Sequence, residues 1–486
     1  MIKVLFLNPP YFPRFSREQR SPAVTRSGTL YYPMWLAYAA GVLQEEGYQI
    51  DFIDGPAEGY RLKEVIIKSK KFAPQLLVLD TSTPSIYNDI EVGAKLKEFL
   101  PQAKVVLVGT HVSALPEETL KLCEKIDAIA RREYDYTIRD LAYAVERNEN
   151  WEKILGISYR SGEEILHNPD RPFINNLGEI PFVSKIYKQF LKSRNYFNPN
   201  ALYPMVTIVA GRGCPFGCSF CVYPQTFSGD RYRYRSPEDI VEEFRYIEKE
   251  FPEAKAVFFE DDTLTADRKR CRELMSLMQK SSIKMSWSAN SRADVDYETL
   301  KQMKAAGCRC LCVGFEAGDE EVLKKMRKGI TPEKAHQFMK DAKRAGILVH
   351  GCFIFGNPGE TKKSLKKTLK FALKLAPDTA QFYPLMVYPG TRAYQWAKEK
   401  GYLTTNDYSR WLDLRGQHTC ILSTRQLSSQ ELIDFCRKSR KTFYLRPAYI
   451  LAKLWQMIRH PQEISRILKA LKTFSKYLFK DIICKR

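Results

Sequence analysis

Three cysteines stand close together in one glycine-bearing loop near the middle of the chain. Cys214, Cys218 and Cys221 are separated by three and two residues and follow directly on a β-rich run. Thiolates at this spacing can bind the irons of one 4Fe-4S cluster, which takes four cysteines when every iron is ligated. With three, one iron keeps an open coordination position, the arrangement that makes a metal site catalytic. The alternatives are a zinc knuckle with a distant fourth ligand and cysteines without a common role.

The segment around this loop predicts the architecture that positions it. Strands are predicted at 206–209, 256–260, 285–289, 310–315, 349–355 and 380–383, in strand-then-helix units. Six such units favour a barrel or partial barrel, whose active site lies at the carboxyl ends of the strands. Since the cysteine loop follows the first of these strands, we expect it at the active end.

The first 147 residues show a similar alternation. Strands are predicted at 3–7, 49–53, 76–80, 105–108 and 127–130, with helices near 34–46, 88–99 and 117–124 and from 137. This pattern predicts an α/β domain with a doubly wound, Rossmann-like parallel sheet, in which ligands bind beyond the carboxyl ends of the strands. The polar stretch 148–200, with a hairpin-like pattern at 157–162, is predicted as a connector to a second domain at 201–425.

Composition and charge narrow the class of protein. The 486 residues are 44% apolar and 27% charged, which excludes wholesale disorder. The net charge of +21 comes from 77 Lys and Arg against 56 Asp and Glu, and it suggests an acidic partner. The opening apolar run is too short for a signal peptide, and no stretch is long enough for a transmembrane helix. We therefore expect a cytoplasmic protein with reduced thiols.

Most of the excess charge lies in the tail, predicted to be helical over 426–486. Residues 437–486 hold fourteen Lys and Arg and two acids. Apolar residues at helical spacing, with basic residues largely on other faces, predict a basic amphipathic helix over 462–480, after a helical segment at 449–459. Such a helix is typical of peripheral binding to an anionic membrane surface. The alternative is a helix that packs on the barrel, and nucleic acid is not an expected partner because no RNA-binding motif accompanies the charge.

The cysteine motif, with the aromatic Phe220 before its last cysteine, resembles the signature of the radical S-adenosylmethionine (SAM) superfamily. The resemblance covers most of 202–389 and implies a (β/α)6 partial TIM barrel with SAM bound at the open iron. One-electron reduction would then cleave SAM to a 5′-deoxyadenosyl radical that abstracts hydrogen from a substrate, while the protein orients the cofactors. A low-potential electron donor such as flavodoxin or ferredoxin is the implied partner.

The resemblance also implies side chains that bind SAM, and Phe220 of the cysteine motif is one of them. Glu260 and Asp261 are candidates for the methionyl amine, because carboxylates accept ammonium protons. The alternative is a helix N-cap cluster. Ser288 and Arg292 end the third strand, and the arginine is a candidate partner of the methionyl carboxylate. Further along, Glu316 is the candidate for the ribose, and Gly356 lies in the segment that resembles the adenine-binding strand, where glycine permits close approach.

The first domain resembles the cobalamin-binding domain of cobalamin-dependent radical SAM enzymes. The residues that carry the likeness and are implied cobalamin contacts are Asn8, Pro9, Thr81, Ser82, Gly109 and His111. The D-x-H-x-x-G motif of cobalamin mutases and methionine synthase is missing, so axial ligation by that route is not expected. His111 either faces the corrin or hydrogen-bonds the backbone. The alternative for the domain is a Rossmann-like fold without a ligand.

Further motifs look most like the hopanoid-biosynthesis subgroup and its relatives in anaerobic chlorophyll ring formation. These motifs are 133–137, 221–226 and 231–236. The implied function is hydrogen abstraction from an unactivated carbon, with cobalamin serving methyl transfer or radical rearrangement on a small-molecule or lipid-linked substrate. The alternatives are a tRNA methylthiotransferase and an iron–sulfur protein without turnover.

Cys308, Cys310 and Cys312 form a second cysteine pattern, on a predicted strand. Their spacing puts them on one face of that strand. They serve either as small core residues, as free cysteines commonly do, or as ligands of an auxiliary cluster.

Overall fold

The computed structural model describes residues 1–459 together with Ile464 and Leu468. Its first sheet has the strand order β2-β1-β3-β4-β5-β6-β7. The strands are β1 (Lys3–Asn8), β2 (Gln49–Asp54), β3 (Leu76–Asp80), β4 (Lys104–Val108), β5 (Ala128–Ala130), β6 (Ile157–Ser161) and β7 (Glu164–His167). Strands β1 to β5 pair in parallel, which confirms the predicted α/β architecture.

Helices connect these strands and cover the sheet. They are α1 (Met34–Glu45), α2 (Gly55–Glu58), α3 (Leu62–Phe72), α4 (Ile86–Phe99), α5 (Thr110–Ala114), α6 (Pro116–Lys121), α7 (Asp135–Arg147) and, further along, α8 (Val183–Phe190). The central strand β3 is buried along its whole length, as an apolar run in a parallel sheet covered on both faces must be.

The segment 148–200, predicted as a connector, contributes to the first sheet. Its hairpin, β6 and β7, extends the sheet by two antiparallel strands, with Ala130 of β5 opposite Ile157. The sheet therefore ends at His167, and the predicted domain boundary at 147 falls within it. Strands this short, with polar residues on an exposed edge, carry little hydrophobic periodicity that would assign them to a sheet.

The second sheet holds the cysteine loop. Its strands are parallel, in the order β15-β14-β13-β12-β11-β8, and a small antiparallel ribbon of β9 and β10 stands beside it. The strands are β8 (Met205–Ile208), β9 (Gly211–Arg212), β10 (Arg233–Tyr234), β11 (Ala256–Phe259), β12 (Ser286–Ser291), β13 (Cys308–Glu316), β14 (Leu348–Phe355) and β15 (Thr379–Pro384). This is the predicted (β/α)6 partial barrel.

The helices of the second half follow its strands. They are α9 (Val222–Thr226), α10 (Pro237–Glu250), α11 (Arg268–Lys280), α12 (Tyr297–Ala305), α13 (Glu320–Lys325), α14 (Pro332–Ala345), α15 (Lys362–Leu375), α16 (Arg392–Glu399), α17 (Ser429–Tyr444) and α18 (Pro447–Arg459). Side-chain caps mark their starts: Ser236 caps α10 and Asp267 caps α11 by accepting a backbone N–H of the first turn.

Tyrosines lie against the two edge strands of this sheet. Tyr32, in the first half of the chain, donates a hydrogen bond to the carbonyl oxygen of Met205 in β8 at 2.9 Å. At the other edge, the hydroxyl of Tyr444 in α17 accepts from the N–H of Ala380 at 2.9 Å and donates to the carbonyl oxygen of the same residue at 2.7 Å. Helix α17 thereby packs along β15.

The segment 10–33, which we call the bridging segment, joins the two halves. Arg17 donates to the side chains of Asn8 and Asp89 in the first half, at 2.7 and 2.5 Å. Three residues later, Arg20 donates to Glu260 of the second half at 2.5 Å. The buried apolar residues of both halves also form one continuous cluster. The two sheets therefore pack as one body around this segment.

The tail is described up to Arg459. Helix α18 contains the first predicted helical segment, 449–459, and its side chains Ile450, Leu451, Leu454 and Ile458 are 46, 65, 48 and 71% exposed. The predicted amphipathic helix over 462–480 lies outside the described residues, apart from Ile464 and Leu468. Among the described helices, none is both long enough and apolar enough to cross a membrane.

Candidate active site

The cysteine loop lies between β9 and α9, beyond the carboxyl end of β8. Cys214, Cys218 and Cys221 are free thiols and each is partly exposed. The side-chain amide of Gln225 donates to the carbonyl oxygens of Cys218 and Cys221 at 3.2 and 2.7 Å. Gly213 has a φ of +88°, and a Cβ atom there would lie 2.1 Å from a backbone carbonyl oxygen. A glycine before the loop and an amide after it therefore fix its conformation.

The donor set of this loop fits an iron–sulfur cluster. Three thiols from eight consecutive residues share one site, and soft sulfur ligands are those that iron–sulfur clusters use. Burial raises the pKa of Cys214 to about 11, and it raises the pKa of Cys221 still further. A bound metal is therefore what would hold these residues as thiolates.

Glu260 lies at the end of β11, at the same end of the barrel. Its Oε1 atom accepts the hydrogen bond from Arg20, while its Oε2 atom is buried without a hydrogen-bond partner among the described residues. Burial raises the pKa of Glu260 to about 7. An unpartnered, buried carboxylate oxygen leaves an acceptor for an ammonium group, which is consistent with the role predicted for Glu260.

Asp261 has its carboxylate engaged within the protein. One oxygen accepts the N–H of Ala210 and the other accepts the hydroxyl of Tyr232, both at 2.9 Å. Because Ala210 follows β8 and Tyr232 precedes β10, this carboxylate holds the two ends of the cysteine-loop region together. Its predicted contact with the methionyl amine stays a prediction.

The two residues predicted at the third strand lie in different surroundings. Arg292 stacks its guanidinium over the ring of Phe216, a cysteine-loop residue, at 3.7 Å, and donates to the carbonyl oxygen of Lys328 at 2.9 Å. Ser288 instead donates to the carbonyl oxygen of Asn200 at 2.7 Å. Since Asn200 precedes β8, this contact occupies the Ser288 hydroxyl away from the cysteine loop.

Glu316 ends β13 in an unusual backbone conformation, with a φ of +63°. Its Oε1 atom accepts from Nζ of Lys328 at 2.8 Å, and its Oε2 atom is buried without a partner among the described residues. Lys328 in turn lies 5.9 Å from the ring centre of Phe220. Glu316 therefore lies near Phe220, the aromatic residue of the cysteine motif, and its Oε2 atom is available to accept a hydrogen bond.

Gly356 follows β14 and is held by its own loop. Its N–H donates to Oε2 of Glu360 at 2.5 Å, and the N–H of Asn357 donates to the same oxygen at 2.8 Å. The φ of Gly356 is +100°, a conformation that favours glycine. Glu360 thus fixes the backbone conformation at Gly356 and Asn357. Burial raises the pKa of Glu360 to about 7.

A small cavity lies beyond the strand ends of the first sheet. It is lined by Arg17, Glu18, Trp35, Asp80, Thr81, Gly109, Thr110, Tyr134, Tyr223 and Phe227. Two of its buried polar atoms, Oδ2 of Asp80 and the hydroxyl of Tyr134, have no hydrogen-bond partner among the described residues. Of the predicted cobalamin contacts, Thr81 and Gly109 line it. Unpartnered polar atoms at this edge of the sheet are consistent with a polar cofactor that docks there.

The other predicted cobalamin contacts, Asn8, Pro9 and Ser82, form hydrogen bonds with residues of the protein. Asn8 donates to Asp54 at 2.9 Å and accepts from Arg17, which also donates to the carbonyl oxygen of Pro9 at 2.6 Å. Ser82 shares a hydrogen bond with the hydroxyl of Ser85 at 2.7 Å. Their side-chain contacts therefore lie within the protein, and direct contact of these residues with cobalamin stays a prediction.

His111 is almost fully buried. Its Nδ1 atom lies 3.2 Å from the hydroxyl of Thr83, and its ring packs edge-on against Tyr408 at 4.8 Å between ring centres. Burial lowers the pKa of His111 to about 3, so the ring is neutral at physiological pH. The structure thus gives His111 side-chain partners in place of the backbone partner considered from the sequence.

The bridging segment supplies site residues that the sequence analysis missed. Glu18 accepts the backbone N–H groups of Trp35 and Leu36 and lines the cavity, while Arg20 reaches Glu260 and Asp262. The available signal is the run Arg17-Glu18-Gln19-Arg20, four long polar residues in a segment without periodicity. Such a run does not reveal that Arg20 contacts Glu260, which lies 240 residues further along the chain.

The three cysteines on β13 do not share one environment. Cys308 and Cys310 are buried, whereas Cys312 is partly exposed and lies 3.9 Å from the sulfur of Cys352 on β14. Residues two apart on one strand are about 6.6 Å apart, farther than the 3.9 Å between the sulfurs of Cys312 and Cys352. The favoured sulfur partner is therefore across the sheet. The core role expected from the sequence suits Cys308 and Cys310.

Each half of the chain matches a known protein family. Residues 208–372 match the model of the Radical SAM superfamily, and residues 20–142 match that of the B12 binding domain. An uncharacterized methyltransferase of Pyrococcus horikoshii is 32% identical over 91% of this chain and 94% of the relative. The anaerobic magnesium-protoporphyrin IX monomethyl ester cyclase of Cereibacter sphaeroides is 28% identical over 86% of this chain and 67% of the relative.

The fold is also similar to a solved structure. TsrM from Kitasatospora setae, a radical S-adenosylmethionine methyltransferase, superimposes with a TM-score of 0.72 at 16% identity, over 92% of this chain and 90% of that chain. The cysteine loop lies in the part of the chain that matches the Radical SAM superfamily, and most of the cavity lining lies in the part that matches the B12 binding domain. The chain belongs to the cobalamin-dependent radical SAM enzymes, with a 4Fe-4S cluster, SAM and cobalamin as its cofactors.

Proposed function

We propose that the protein is a methyltransferase that alkylates an unactivated carbon of a small-molecule or lipid-linked substrate. The observation that carries this proposal is the bridging segment. It lines the cavity of the first half through Glu18 and contacts Glu260, beside the cysteine loop, through Arg20. A methyl donor and a hydrogen-abstracting site must face one substrate carbon, and this segment brings the two halves together. The similarity to the uncharacterized methyltransferase of Pyrococcus horikoshii supports the same reaction class.

The residues of this chain bind and orient the reactants. When bound, the cluster with SAM supplies hydrogen abstraction, and cobalamin supplies the methyl group. Glu260 and Glu316 each offer a buried carboxylate oxygen to the amine and the ribose of SAM. The guanidinium of Arg292 pairs with Asp294 at 3.1 Å and donates to the carbonyl oxygen of Lys328, so it would bind the carboxylate of SAM by exchanging one of these partners. Lys328 compensates the charge of Glu316. Cleavage of SAM requires one electron, and a low-potential flavodoxin or ferredoxin in the cytoplasm is the proposed donor.

The test uses the full chain, reconstituted anaerobically with iron, sulfide and hydroxocobalamin. Reduced protein should release 5′-deoxyadenosine from SAM, and Cys218→Ala should abolish the release. Cys123→Ala, at a partly exposed cysteine of the first half, is the matched control and should behave as the wild type. Cleavage that persists in Cys218→Ala would overturn the proposed cluster site. A cluster without any 5′-deoxyadenosine would favour the non-catalytic alternative.

Methyl transfer is tested with SAM that carries a labelled methyl group. Label should appear in cobalamin bound to the protein and then in candidate substrates. Label that never leaves SAM, together with 5′-deoxyadenosine release, would favour rearrangement or cyclisation. Label recovered in tRNA together with inserted sulfur would favour the methylthiotransferase. A hopanoid precursor is the first lipid-linked substrate to assay, because of the motif likeness at 133–137, 221–226 and 231–236.

We also propose that the tail attaches the enzyme to the inner face of an anionic membrane. Ile450, Leu454 and Ile458 lie four residues apart along α18 and are about half or more exposed. The surrounding segment, 437–486, has fourteen basic residues against two acids. Apolar side chains on one helical face with basic charge nearby suit an anionic lipid surface, where each basic residue contributes about 1 kcal/mol.

The membrane proposal is tested by cosedimentation with liposomes. The chain should bind vesicles that contain phosphatidylglycerol, and a truncation after Leu445 should bind them far less. The cut is placed there because Tyr444 contacts β15 and must stay. Unchanged binding of the truncated chain, with its iron content intact, would favour a tail that packs on the barrel.

A further inference from the structure

Two cysteines and a histidine lie together on the neighbouring strands β13 and β14. Cys312 is the register partner of His350, and Cys352 follows His350 by two residues on the same strand. The three side chains therefore project from one face of the sheet. None of them belongs to the cysteine loop, and the sequence gives no sign of the group because its members are separated by up to 40 residues.

The face they share is the concave one, toward the barrel interior. On the opposite face, Phe315 stacks on Phe353, and both pack against Phe371 of helix α15. Since side chains alternate along a strand, Cys312, His350 and Cys352 point away from the helices. Each of the three is partly exposed, so the interior of the barrel gives access to them.

The spacing of the ligand atoms suits a tetrahedral metal ion. The two sulfur atoms are 3.9 Å apart, and a nitrogen of the imidazole lies within 4.8 Å of both. With zinc–sulfur bonds of about 2.3 Å, two sulfurs of a tetrahedral site are separated by about 3.8 Å. The two sulfurs are therefore already separated by close to the distance that a tetrahedral zinc site requires, before any metal is added.

A disulfide is a poorer account of the same two sulfurs. Cys312 is paired with His350 and Cys352 with Gly314, so the cysteines are diagonal neighbours across the sheet. From the strand spacing and the rise per residue, their Cα atoms are about 8 Å apart. A disulfide cannot span more than about 7 Å without backbone movement.

The histidine is oriented by a neighbour on the next strand. Its Nδ1 atom lies 2.8 Å from the hydroxyl of Thr379 on β15. When Nδ1 donates this hydrogen bond, Nε2 keeps the lone pair that a metal requires. A partner that fixes the tautomer of a ligating histidine is a usual feature of metal sites.

We propose that Cys312, His350 and Cys352 form a zinc site with a fourth coordination position open to the barrel interior. Binding of Zn²⁺ displaces the two thiol protons, so two thiolates and a neutral imidazole surround the ion without net charge. Three protein ligands and an open position are the arrangement of a catalytic rather than a structural zinc site. Water occupies that position unless the substrate offers an electron-pair donor, a role that depends on the proposed function.

The test uses the full chain with its 4Fe-4S cluster reconstituted, so that the cysteine loop is occupied by iron. After one equivalent of Zn²⁺ and desalting, the protein should retain about one zinc per chain. X-ray absorption at the zinc edge should show two sulfurs at about 2.3 Å and one nitrogen at about 2.0 Å. A zinc shell of four sulfurs, or of oxygen and nitrogen alone, would overturn the proposal.

Variants locate the bound zinc. Cys312→Ala/Cys352→Ala should weaken zinc binding by about 100-fold or more, because outer-shell changes alone cost 10–100-fold. Cys310→Ala, two residues away on β13, is the control and should keep both metals. Iron content and circular dichroism report whether each variant folds, and His350→Ala replaces the double variant if that one does not. Zinc binding unchanged in a folded variant would mean that the metal sits elsewhere.

Discussion

Arg212 and Asp135 form a buried, two-pronged ion pair between the two halves of the chain. The guanidinium donates to both carboxylate oxygens, at 2.7 and 3.1 Å, and the side chains are 1 and 4% exposed. Arg212 stands two residues before the first cluster cysteine, and Asp135 begins helix α7 of the first half. The pair thus joins the base of the cysteine loop to the cobalamin-binding half.

Removing one partner of this pair should be costly. In Asp135→Ala the arginine stays buried without its counter-charge, and we expect a loss of about 3–5 kcal/mol in stability. Thermal unfolding and iron content after reconstitution measure the effect. Glu242→Gln, in an exposed pair with Arg245, is the control and should change stability by less than about 1 kcal/mol. Equal effects of the two variants would contradict the structural role.

The glycine before the cysteine loop should not tolerate a side chain. A Cβ atom at Gly213 would lie 2.1 Å from the carbonyl oxygen of Arg231, in a backbone of positive φ. We expect Gly213→Ala to lose most of its iron while retaining its α/β circular dichroism spectrum. Gly59→Ala has a similar φ with nothing within 4 Å, and its full iron content would isolate the steric effect.

Neutralising Glu316 should weaken SAM binding without affecting the cluster. Glu316→Gln removes the charge that faces Lys328 and the free oxygen offered to the ribose. A charged hydrogen bond is worth about 1.5–3 kcal/mol, so affinity should fall by about 10–100-fold. Equilibrium dialysis of SAM against reconstituted protein measures this. The surface variant Glu320→Gln should bind as the wild type, and unchanged affinity in Glu316→Gln would remove the residue from the site.

Burial of Glu360 should give stability a pH dependence. Its pKa is raised to about 7, so the folded protein holds a proton that the unfolded chain loses near pH 4.3. This contribution is fully present below about pH 4.3 and is lost as pH rises through about 7, with an upper limit of about 4 kcal/mol. Between pH 5 and 7.5, the melting temperature of the wild type should therefore fall relative to that of Glu360→Gln. A difference that is constant over this range would contradict the burial of a titrating carboxyl.

His111 should have no bond to cobalt. It is buried against Thr83 and Tyr408, and burial lowers its pKa to about 3. In the reduced, paramagnetic cobalamin state we expect an electron paramagnetic resonance spectrum without nitrogen coupling from the protein. The spectrum of His111→Phe should be the same, while its melting temperature falls. Nitrogen coupling that disappears in the variant would establish axial ligation.

Much of the fold follows from local patterns. The strand Leu76–Asp80 and the start of α1 at Met34 have the predicted bounds, because an unbroken apolar run and a proline before a helical pattern are local signals. The number of parallel strands in the barrel and their approximate positions in the chain follow from the same kind of local signal. The hairpin-like pattern at 157–162 predicts only part of a connector, since the place of the hairpin in the first sheet depends on pairing with β5.

The site was harder to predict because its contacts are long-range. Cys214, Cys218 and Cys221 lie within eight consecutive residues, so their spacing alone indicates an iron–sulfur cluster. The contact of Arg20 with Glu260 spans 240 residues, and the sulfurs of Cys312 and Cys352 meet across two strands. Neither arrangement has a sequence period, and both depend on how the sheets are assembled.

The tyrosines at the two edges of the barrel sheet bear on solubility. An open barrel has two edge strands, and exposed edges pair readily with strands of other chains, which leads to aggregation. Here the hydroxyl of Tyr32 takes up a carbonyl oxygen of β8, and that of Tyr444 takes up both polar groups of one residue in β15. A side chain thus satisfies backbone groups at one position on each edge, where a closed barrel would have a neighbouring strand. At these positions the open barrel therefore has fewer free backbone groups that could pair with a strand of another chain.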